Sequence, residues 1–242
     1  MLRKIYLVAM AAGHGSRMKS ETPKQFIELC GKPILQSTIE KFISSYPDIK
    51  VVTVLPKEYL SYWKDLCLRN NFSCPQTLVS GGITRFHSVK NALEKIPEGA
   101  IVAIHDGVRP LISIDLIKSM LGRFEQGSSC RALIPVLPSV DTLMAISQEK
   151  NEAGETRLEL IEGKEIDRSE IYSVQTPQIF FSEDIKNAYS SQAYCTSFTD
   201  DASVAAKNGT PLAFCIGERL NIKITTPDDI VLASAVLKEG LK

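Results

Sequence analysis

The sequence predicts an α/β protein with a mostly parallel, twisted sheet and helices on both of its faces. Unbroken apolar runs of strand length suit strands that are buried on both sides. These runs alternate with segments whose apolar residues have helical spacing, and this alternation favours parallel strands joined by helical crossovers. The length of 242 residues suits one sizeable domain. We therefore expect a single domain over residues 1–242, with one excursion from it.

The strands and helices follow from local apolar patterns. Strands are predicted at residues 5–10, 51–55, 76–79, 101–104, 132–136, 212–216 and 222–224. Helices are predicted at residues 34–43, 59–68, 85–93, 114–124 and 183–189, with a short helix ending at Lys207 and a last one ending at Val236. Thr226 and Pro227 have the residue types that start this last helix.

The alternation stops near Pro138, and residues 138–173 are polar and charged. A structureless loop of that length inside a compact domain is unusual. Residues 141–146 and 157–161 alternate in polarity, which predicts a β-hairpin. We therefore interpret residues 138–173 as a protruding β-arm. Its apolar side chains lack a core of their own, so we expect the arm to pack against a second subunit in a homodimer.

Composition excludes several classes of protein. The 28 basic and 28 acidic residues cancel, so neither nucleic acid nor a membrane surface is an expected partner. The six cysteines are scattered without a Cys-x-x-Cys pair, which indicates reduced packing residues and no zinc site. No signal peptide and no apolar segment of membrane-spanning length is recognisable. We expect a cytoplasmic protein.

A glycine turn follows the first predicted strand, at residues 11–18, and a Pro-Lys-Gln triplet lies at residues 23–25. Small residues and two glycines let backbone N–H groups approach a bulky anion, and Arg17 and Lys24 add positive charge. This combination predicts a triphosphate site. A plain βα turn is the alternative for the glycines alone. Met18 stands where a dinucleotide fingerprint needs glycine, and no Gly-Lys-Ser/Thr closes a P-loop.

A second polar cluster follows the strand at residues 101–104. Asp106 comes directly after an apolar run, so its carboxylate can meet a Mg²⁺ that also binds phosphate oxygens. Arg109 can take a phosphate in bidentate fashion. The alternative is an aspartate that caps the next helix and pairs with the arginine. Lys223 by itself indicates little, because a lysine between apolar strand residues usually faces solvent.

These motifs occur in one order along nearly the whole chain, and together they form a specific pattern. They are the turn at residues 11–18 with Lys24, then Gly81-Gly82 with Arg85 and Ser88, residues 105–110, Asp141-Thr142, Asp167-Arg168, residues 176–178, residues 199–203 and residues 221–223. The pattern resembles the 2-C-methyl-D-erythritol 4-phosphate cytidylyltransferase family. The resemblance implies a Rossmann-like nucleotidyltransferase fold and transfer of CMP from CTP to a polyol phosphate, with Mg²⁺ as the cofactor.

The resemblance also implies a role for each matching residue. Arg17, Lys24 and Lys223 are implied as catalytic residues that neutralise the phosphates. CTP would be held by Ala11, Ala12, Gly13, Gly15, Gly82, Ser88 and Asp106. Asp106, Arg109, Thr142, Arg168 and Thr176 would bind the acceptor, with Arg168 coming from the arm of the same or the partner subunit. Asp106 would bind the metal.

Three alternatives to this function stay open at this point. The ribitol-5-phosphate cytidylyltransferases share nearly all of the motifs, so D-ribitol 5-phosphate is the alternative acceptor. A nucleotide-binding module without catalysis is a second alternative, although it would not need Arg17, Lys24, Asp106 and Lys223 together. An NAD-dependent oxidoreductase comes last. His14, His87 and His105 are interpreted as structural, because a phosphate dianion needs no base to attack.

Overall fold

The computed structural model describes residues 3–13, 18, 22–125, 129–150 and 154–240. Its strands are β1 Ile5–Met10, β2 Glu28–Leu29, β3 Lys32–Pro33, β4 Lys50–Leu55, β5 Gln76–Ser80, β6 Ile101–Asp106, β7 Ala132–Pro138, β8 Ile146–Lys150, β9 Thr156–Leu160, β10 Tyr172–Val174, β11 Gln178–Phe181 and β12 Leu212–Ile216. Its helices are α1 Ile34–Ser45, α2 Leu60–Arg69, α3 Arg85–Leu93, α4 Ile114–Glu125, α5 Ser182–Ser191, α6 Asp201–Lys207 and α7 Pro227–Glu239.

The main sheet is mixed, with mainly parallel strands, as the sequence predicts. β6, β1, β4 and β5 lie side by side and run parallel, with Val8 of β1 opposite Val52 and Ile104. The alternation of strands and helices would place β7 beside β6. Instead, β11 lies between them and is antiparallel to both. β7 also pairs with β12 in parallel and with β10 in antiparallel fashion.

The core is divided by the sheet into two apolar layers. Successive strand residues point to opposite faces, so Leu7 belongs to one layer and Val8 to the other, and both are fully buried. The first layer packs against α1, α2 and α4, and the second packs against α3, α5 and α6. Helices therefore cover both faces of the sheet, as predicted. No helix among the described residues combines the length and apolarity that a membrane crossing needs.

Two strand predictions are wrong in detail. Residues 222–224 form no strand. Ile224 is buried in a cluster with Ala233 and Val236 of α7, and its N–H donates to the carbonyl of Val108. In the arm, the first strand begins at Ile146 rather than at residue 141. β8 and β9 form an antiparallel hairpin with Ile146 opposite Leu160, and both side chains are largely exposed.

The last helix begins as the sequence predicts, with Thr226 at the N-cap position and Pro227 in the first turn. The carboxylate of Asp229 turns back and accepts hydrogen bonds from the backbone N–H groups of Thr225 and Thr226 at 2.7 and 2.8 Å. These bonds satisfy donors that a helix start otherwise leaves open. They also fix the end of the segment that carries Lys223.

Candidate active site

The glycine turn is held from both sides where it leaves β1. The N–H of Ala11 donates to the carbonyl of Val54 at 2.9 Å, and the side-chain amide of Gln25 donates to the carbonyl of Ala11 at 2.9 Å. Gln25 is buried, so this bond is shielded from water. Sequence reasoning noted Gln25 in the motif but gave it no role. The predicted site residues Gly15 and Arg17 lie outside the described part of the chain.

A second loop, at residues 80–84, lies against the glycine turn. A Cβ atom on Gly81 would lie 2.6 Å from the Cβ of Ala12, so glycine is required for this approach. The hydroxyl of Ser88 accepts from the N–H of Gly82 at 3.0 Å and donates to the carbonyl of Thr84 at 2.9 Å. Ser88 is buried. Its hydroxyl therefore shapes the loop from within.

Asp106 ends β6 and is the electrostatic centre of the site. Arg109 Nε lies 2.9 Å and Lys223 Nζ lies 3.3 Å from the same carboxylate oxygen, Oδ2 of Asp106. Burial by itself would raise the pKa of Asp106, but Lys223, Arg109 and Arg85 together hold it well below its ordinary value. The carboxylate is therefore ionised at neutral pH. Of the structural alternative, the pairing of Asp106 with Arg109 is present, but Asp106 does not cap the next helix. Ser113 caps the start of α4 by accepting from the N–H of Leu116, and its own N–H and hydroxyl both donate to Glu218.

Thr176 holds the backbone of Asp106 by a hydrogen bond, and His105 lies against the hydroxyl of Thr176. The hydroxyl of Thr176 accepts from the N–H of Asp106 at 3.1 Å and lies 3.0 Å from Nδ1 of His105. Nε2 of His105 faces the carbonyl of Arg109 at 3.5 Å. Burial lowers the pKa of His105 to about 3, so its ring is neutral at physiological pH. A neutral, fully buried ring fits the interpretation of His105 as a structural residue.

An ion pair between the partly exposed Arg85 and the buried Asp201 adjoins the site, and sequence reasoning missed it. The guanidinium makes two bonds to the carboxylate, at 2.6 and 2.8 Å, and the hydroxyl of Tyr189 donates to the same carboxylate at 2.6 Å. Asp201 is fully buried. Burial opposes the charge on Arg85, but Asp201 outweighs it and raises the pKa of Arg85. The guanidinium of Arg85 therefore stays charged at the start of α3, and the carboxylate of Asp201 balances that charge.

Two adjoining cavities meet at these residues. The first has a volume of about 310 Å³, and its walls include Ala11, Ala12, Gly13, Lys24, Gly82, Ser88, Asp106 and Lys223. The second has a volume of about 260 Å³, and its walls include Asp106, Arg109, Thr176 and Lys223. Arg85, Asp106 and Lys223 line both cavities. A ligand in one cavity therefore meets a ligand in the other beside one carboxylate and two cations.

The structure brings together most of the residues that the resemblance singles out. Of the residues that the resemblance singles out and the structure describes, all except Thr142 and Arg168 lie in the walls of the two cavities. These two residues lie in the arm, where both are exposed, and Arg168 donates to the carbonyl of Val140 at 3.3 Å. The two cavities of this chain thus lack the two residues that the arm was predicted to provide.

The donor set around Asp106 fits a magnesium ion that is shared with a substrate. Among the described residues, no group of three His, Cys, Asp or Glu side chains could hold a metal ion by itself. Mg²⁺ is commonly bound by one or two carboxylates together with substrate phosphates and water. One ionised carboxylate at the junction of two cavities meets this requirement once a triphosphate is present.

Comparison with known proteins agrees with this geometry. The family model described as IspD, 2-C-methyl-D-erythritol 4-phosphate cytidylyltransferase, matches residues 5–239. The chain belongs to this family. The 2-C-methyl-D-erythritol 4-phosphate cytidylyltransferase of Azobacteroides pseudotrichonymphae is 40% identical over 238 residues, which cover 98% of this chain and 100% of that protein. The cytidylyltransferase of the same name from Bacteroides thetaiotaomicron is 39% identical over 231 residues, covering 96% and 98% of the two chains.

Solved structures of cytidylyltransferases share the fold. The 4-diphosphocytidyl-2C-methyl-D-erythritol synthase of Anaerococcus prevotii aligns with a TM-score of 0.74 and 26% identity, over 98% of this chain and 96% of that one. The 2-C-methyl-D-erythritol 4-phosphate cytidylyltransferase of Francisella tularensis aligns with a TM-score of 0.70 and 28% identity, over 96% and 99%. The predicted family, nucleotidyltransferase fold and cytidylyltransferase class are thereby confirmed, and the ribitol-phosphate alternative is not favoured.

Proposed function

We propose that this chain transfers the CMP group of CTP to 2-C-methyl-D-erythritol 4-phosphate and releases pyrophosphate, as a step of the non-mevalonate isoprenoid pathway. The observation that supports the location of this transfer is the junction of the two cavities at Arg85, Asp106 and Lys223. A transfer between two anionic substrates needs both of them beside the same positive charges. The junction provides such a place.

CTP occupies the first cavity in this proposal. The backbone of Ala11, Ala12 and Gly13 approaches the phosphates, Lys24 neutralises them, and the loop of Gly82 binds cytosine. Gly15 and Arg17 complete the phosphate site. Ser88 acts through its bond to Gly82, because its hydroxyl already has protein partners on both sides.

The acceptor phosphate occupies the second cavity, between Arg109 and Lys223. Thr176 lines this cavity and acts by holding Asp106 through the backbone. Thr142 and Arg168 of one subunit reach the acceptor of the other subunit when the arms exchange in a homodimer. Exposed apolar side chains on the arm, among them Ile146 and Leu160, support an interface there, because such residues are costly to leave in water.

The reaction itself needs charge neutralisation and alignment. A phosphate oxygen of the acceptor attacks the α-phosphorus of CTP, a new P–O bond forms, and the bond to the β-phosphate breaks to release pyrophosphate. The second pKa of a phosphomonoester is about 6, so the nucleophile is already deprotonated at neutral pH. Repulsion between the two anions is the obstacle, and Lys24, Lys223 and Arg17 offset it as the transition state forms.

Asp106 is the residue that would hold Mg²⁺, and the bound ion would supply further charge neutralisation on the triphosphate. Asp106 is suited to this because its pKa is held low, so it stays a carboxylate when substrate binds. A cytoplasmic location belongs to the same proposal. Nucleic acid is not an expected partner, since the formal net charge is zero.

Pyrophosphate release tests the proposal. The protein is incubated with CTP and Mg²⁺, and with either 2-C-methyl-D-erythritol 4-phosphate or D-ribitol 5-phosphate. Strong preference for the methylerythritol compound is the expected result. Preference for ribitol phosphate would overturn the acceptor assignment and leave the CTP site intact. Bound CTP with no release from either acceptor would overturn catalysis altogether.

A further inference from the structure

Lys223 lies on a segment that the main sheet does not hold by a strand ladder. Residues 217–225, which we call the Lys223 segment, follow β12 without forming a strand or helix. Its backbone is tied to the rest of the fold near its two ends. The N–H of Gly217 donates to Val136 at 2.9 Å, and the N–H of Ile224 donates to Val108 at 2.9 Å. Between these points the position of the segment depends on side chains.

The side-chain amide of Gln175 makes the pair of backbone hydrogen bonds that a neighbouring strand would otherwise make to the Lys223 segment. Its Nε2 donates to the carbonyl of Glu218 at 2.8 Å, and its Oε1 accepts from the N–H of the same residue at 3.2 Å. Gln175 is buried, and its own N–H donates to the carbonyl of Pro135 in β7 at 2.9 Å. The amide therefore joins β7 to the Lys223 segment in the way that a neighbouring strand would.

Asn221, in the same segment, links the backbone of Thr176 to the side chain of Arg109. Its side-chain amide donates to the carbonyl of Thr176 at 2.9 Å, and it is fully buried. Its own carbonyl accepts from Nη1 of Arg109 at 2.7 Å. Two residues later, Nζ of Lys223 lies 3.3 Å from Oδ2 of Asp106. Both cations that contact Asp106 thus take their positions from the same stretch of backbone.

We propose that Gln175 is a positioning residue for cytidylyl transfer, which it serves by fixing the segment that places Lys223 and Arg109 around Asp106. This inference rests on the proposed role of Lys223 beside the reacting phosphates. The lysine side chain is long and 40% exposed, so the backbone position decides where its charge is available. A misplacement of about 1 Å costs up to about 100-fold in rate in a site that depends on alignment.

The test replaces Gln175 with methionine, which has a similar volume and no amide. Gln36→Met is the matched control, because Gln36 is also buried and its amide donates to Glu40 of α1, away from the cavities. We expect Gln175→Met to lower kcat by about tenfold or more and to change KM for CTP by less than about twofold. The control keeps kcat near that of the unchanged protein. Thermal unfolding of both variants shows that they are folded.

A double-mutant cycle with Lys223→Ala separates the possible results. If Gln175 acts through Lys223, adding Gln175→Met to Lys223→Ala produces a much smaller further loss in kcat than it does alone. Losses that multiply would overturn the positioning of Lys223 by Gln175, and a normal kcat in Gln175→Met would overturn the positioning role altogether. A normal kcat in Lys223→Ala would instead overturn the proposed function of that lysine. If the methionine variant is insoluble, Gln175→Asn, whose amide is one methylene shorter, is measured in the same way.

Discussion

Lys24→Ala separates catalysis from stability in this site. Nζ of Lys24 donates to the carbonyl of Ile224 at 3.3 Å and lines the cavity that we assign to CTP. The donor is charged, but the bond is long and Lys24 is partly exposed, so its loss costs only about 1 kcal/mol of unfolding free energy. Loss of a preorganised positive charge at the transition state costs about 3 kcal/mol, because such donors act where charge develops. At about 1.4 kcal/mol for each tenfold change in rate, we expect kcat to fall by about 100-fold or more.

Steady-state pyrophosphate release, with CTP and acceptor both saturating, measures this loss. Lys32→Ala is the control, since Lys32 is half exposed and pairs with Glu40 at 2.7 Å on the surface. Such pairs contribute about 0–1 kcal/mol, so the control keeps its kcat and nearly all of its stability. A kcat near normal for Lys24→Ala, in protein that a urea titration shows to be fully folded under the assay conditions, would refute the assignment of the glycine turn to the reaction centre.

Three further predictions concern the pair at Asp201, the last helix and the arm. Arg85→Met leaves the buried Asp201 carboxylate without its cation, so urea titration should show a loss of about 3–5 kcal/mol, and a loss below about 1 kcal/mol would contradict the pairing. Burial would raise the pKa of Asp229, but hydrogen bonds from Thr225 and Thr226 lower it overall. The stability that Asp229 adds is therefore present above its ordinary pKa and is lost as pH falls through its lowered pKa. We expect the urea midpoints of the unchanged protein and of Asp229→Asn to differ at neutral pH and to converge as the pH is lowered. A difference that stays constant with pH would contradict this role of Asp229. Deletion of residues 141–165 should convert the proposed dimer to a monomer in sedimentation, whereas an intact dimer would show that the interface lies elsewhere.

The parts of the fold that local patterns determine could be predicted from the sequence. The helix predicted at residues 85–93 coincides with α3, and the strand predicted at residues 212–216 coincides with β12. The position of β11 could not be predicted, because its pairing with β6 and β7 depends on residues far away in the chain. Residues 222–224 alternate like a strand, yet burial of Ile224 against α7 replaces the ladder that a strand would make.

The site was predictable to the extent that strand ends converge on one edge of the sheet. This rule brings Ala11, Gly82 and Asp106 together, and their positions confirm it. Pairing of Arg85 with Asp201 spans 116 positions and has no periodic signal. The role of Gln175 was equally invisible, because a side-chain amide that bonds to a distant backbone leaves no pattern in the sequence.

The insertion of β11 between β6 and β7 also determines the order in which the chain can fold during synthesis. Every described strand that pairs with β7 lies later in the chain, since its partners are β10, β11 and β12. A nascent chain that ends near residue 140 therefore presents an apolar strand without neighbours, which invites aggregation or chaperone binding. Lys223 follows β12, so it is synthesised after every described strand of the main sheet. Nascent and truncated chains consequently have an incomplete charge cluster, and translation must pass residue 223 before the site can form.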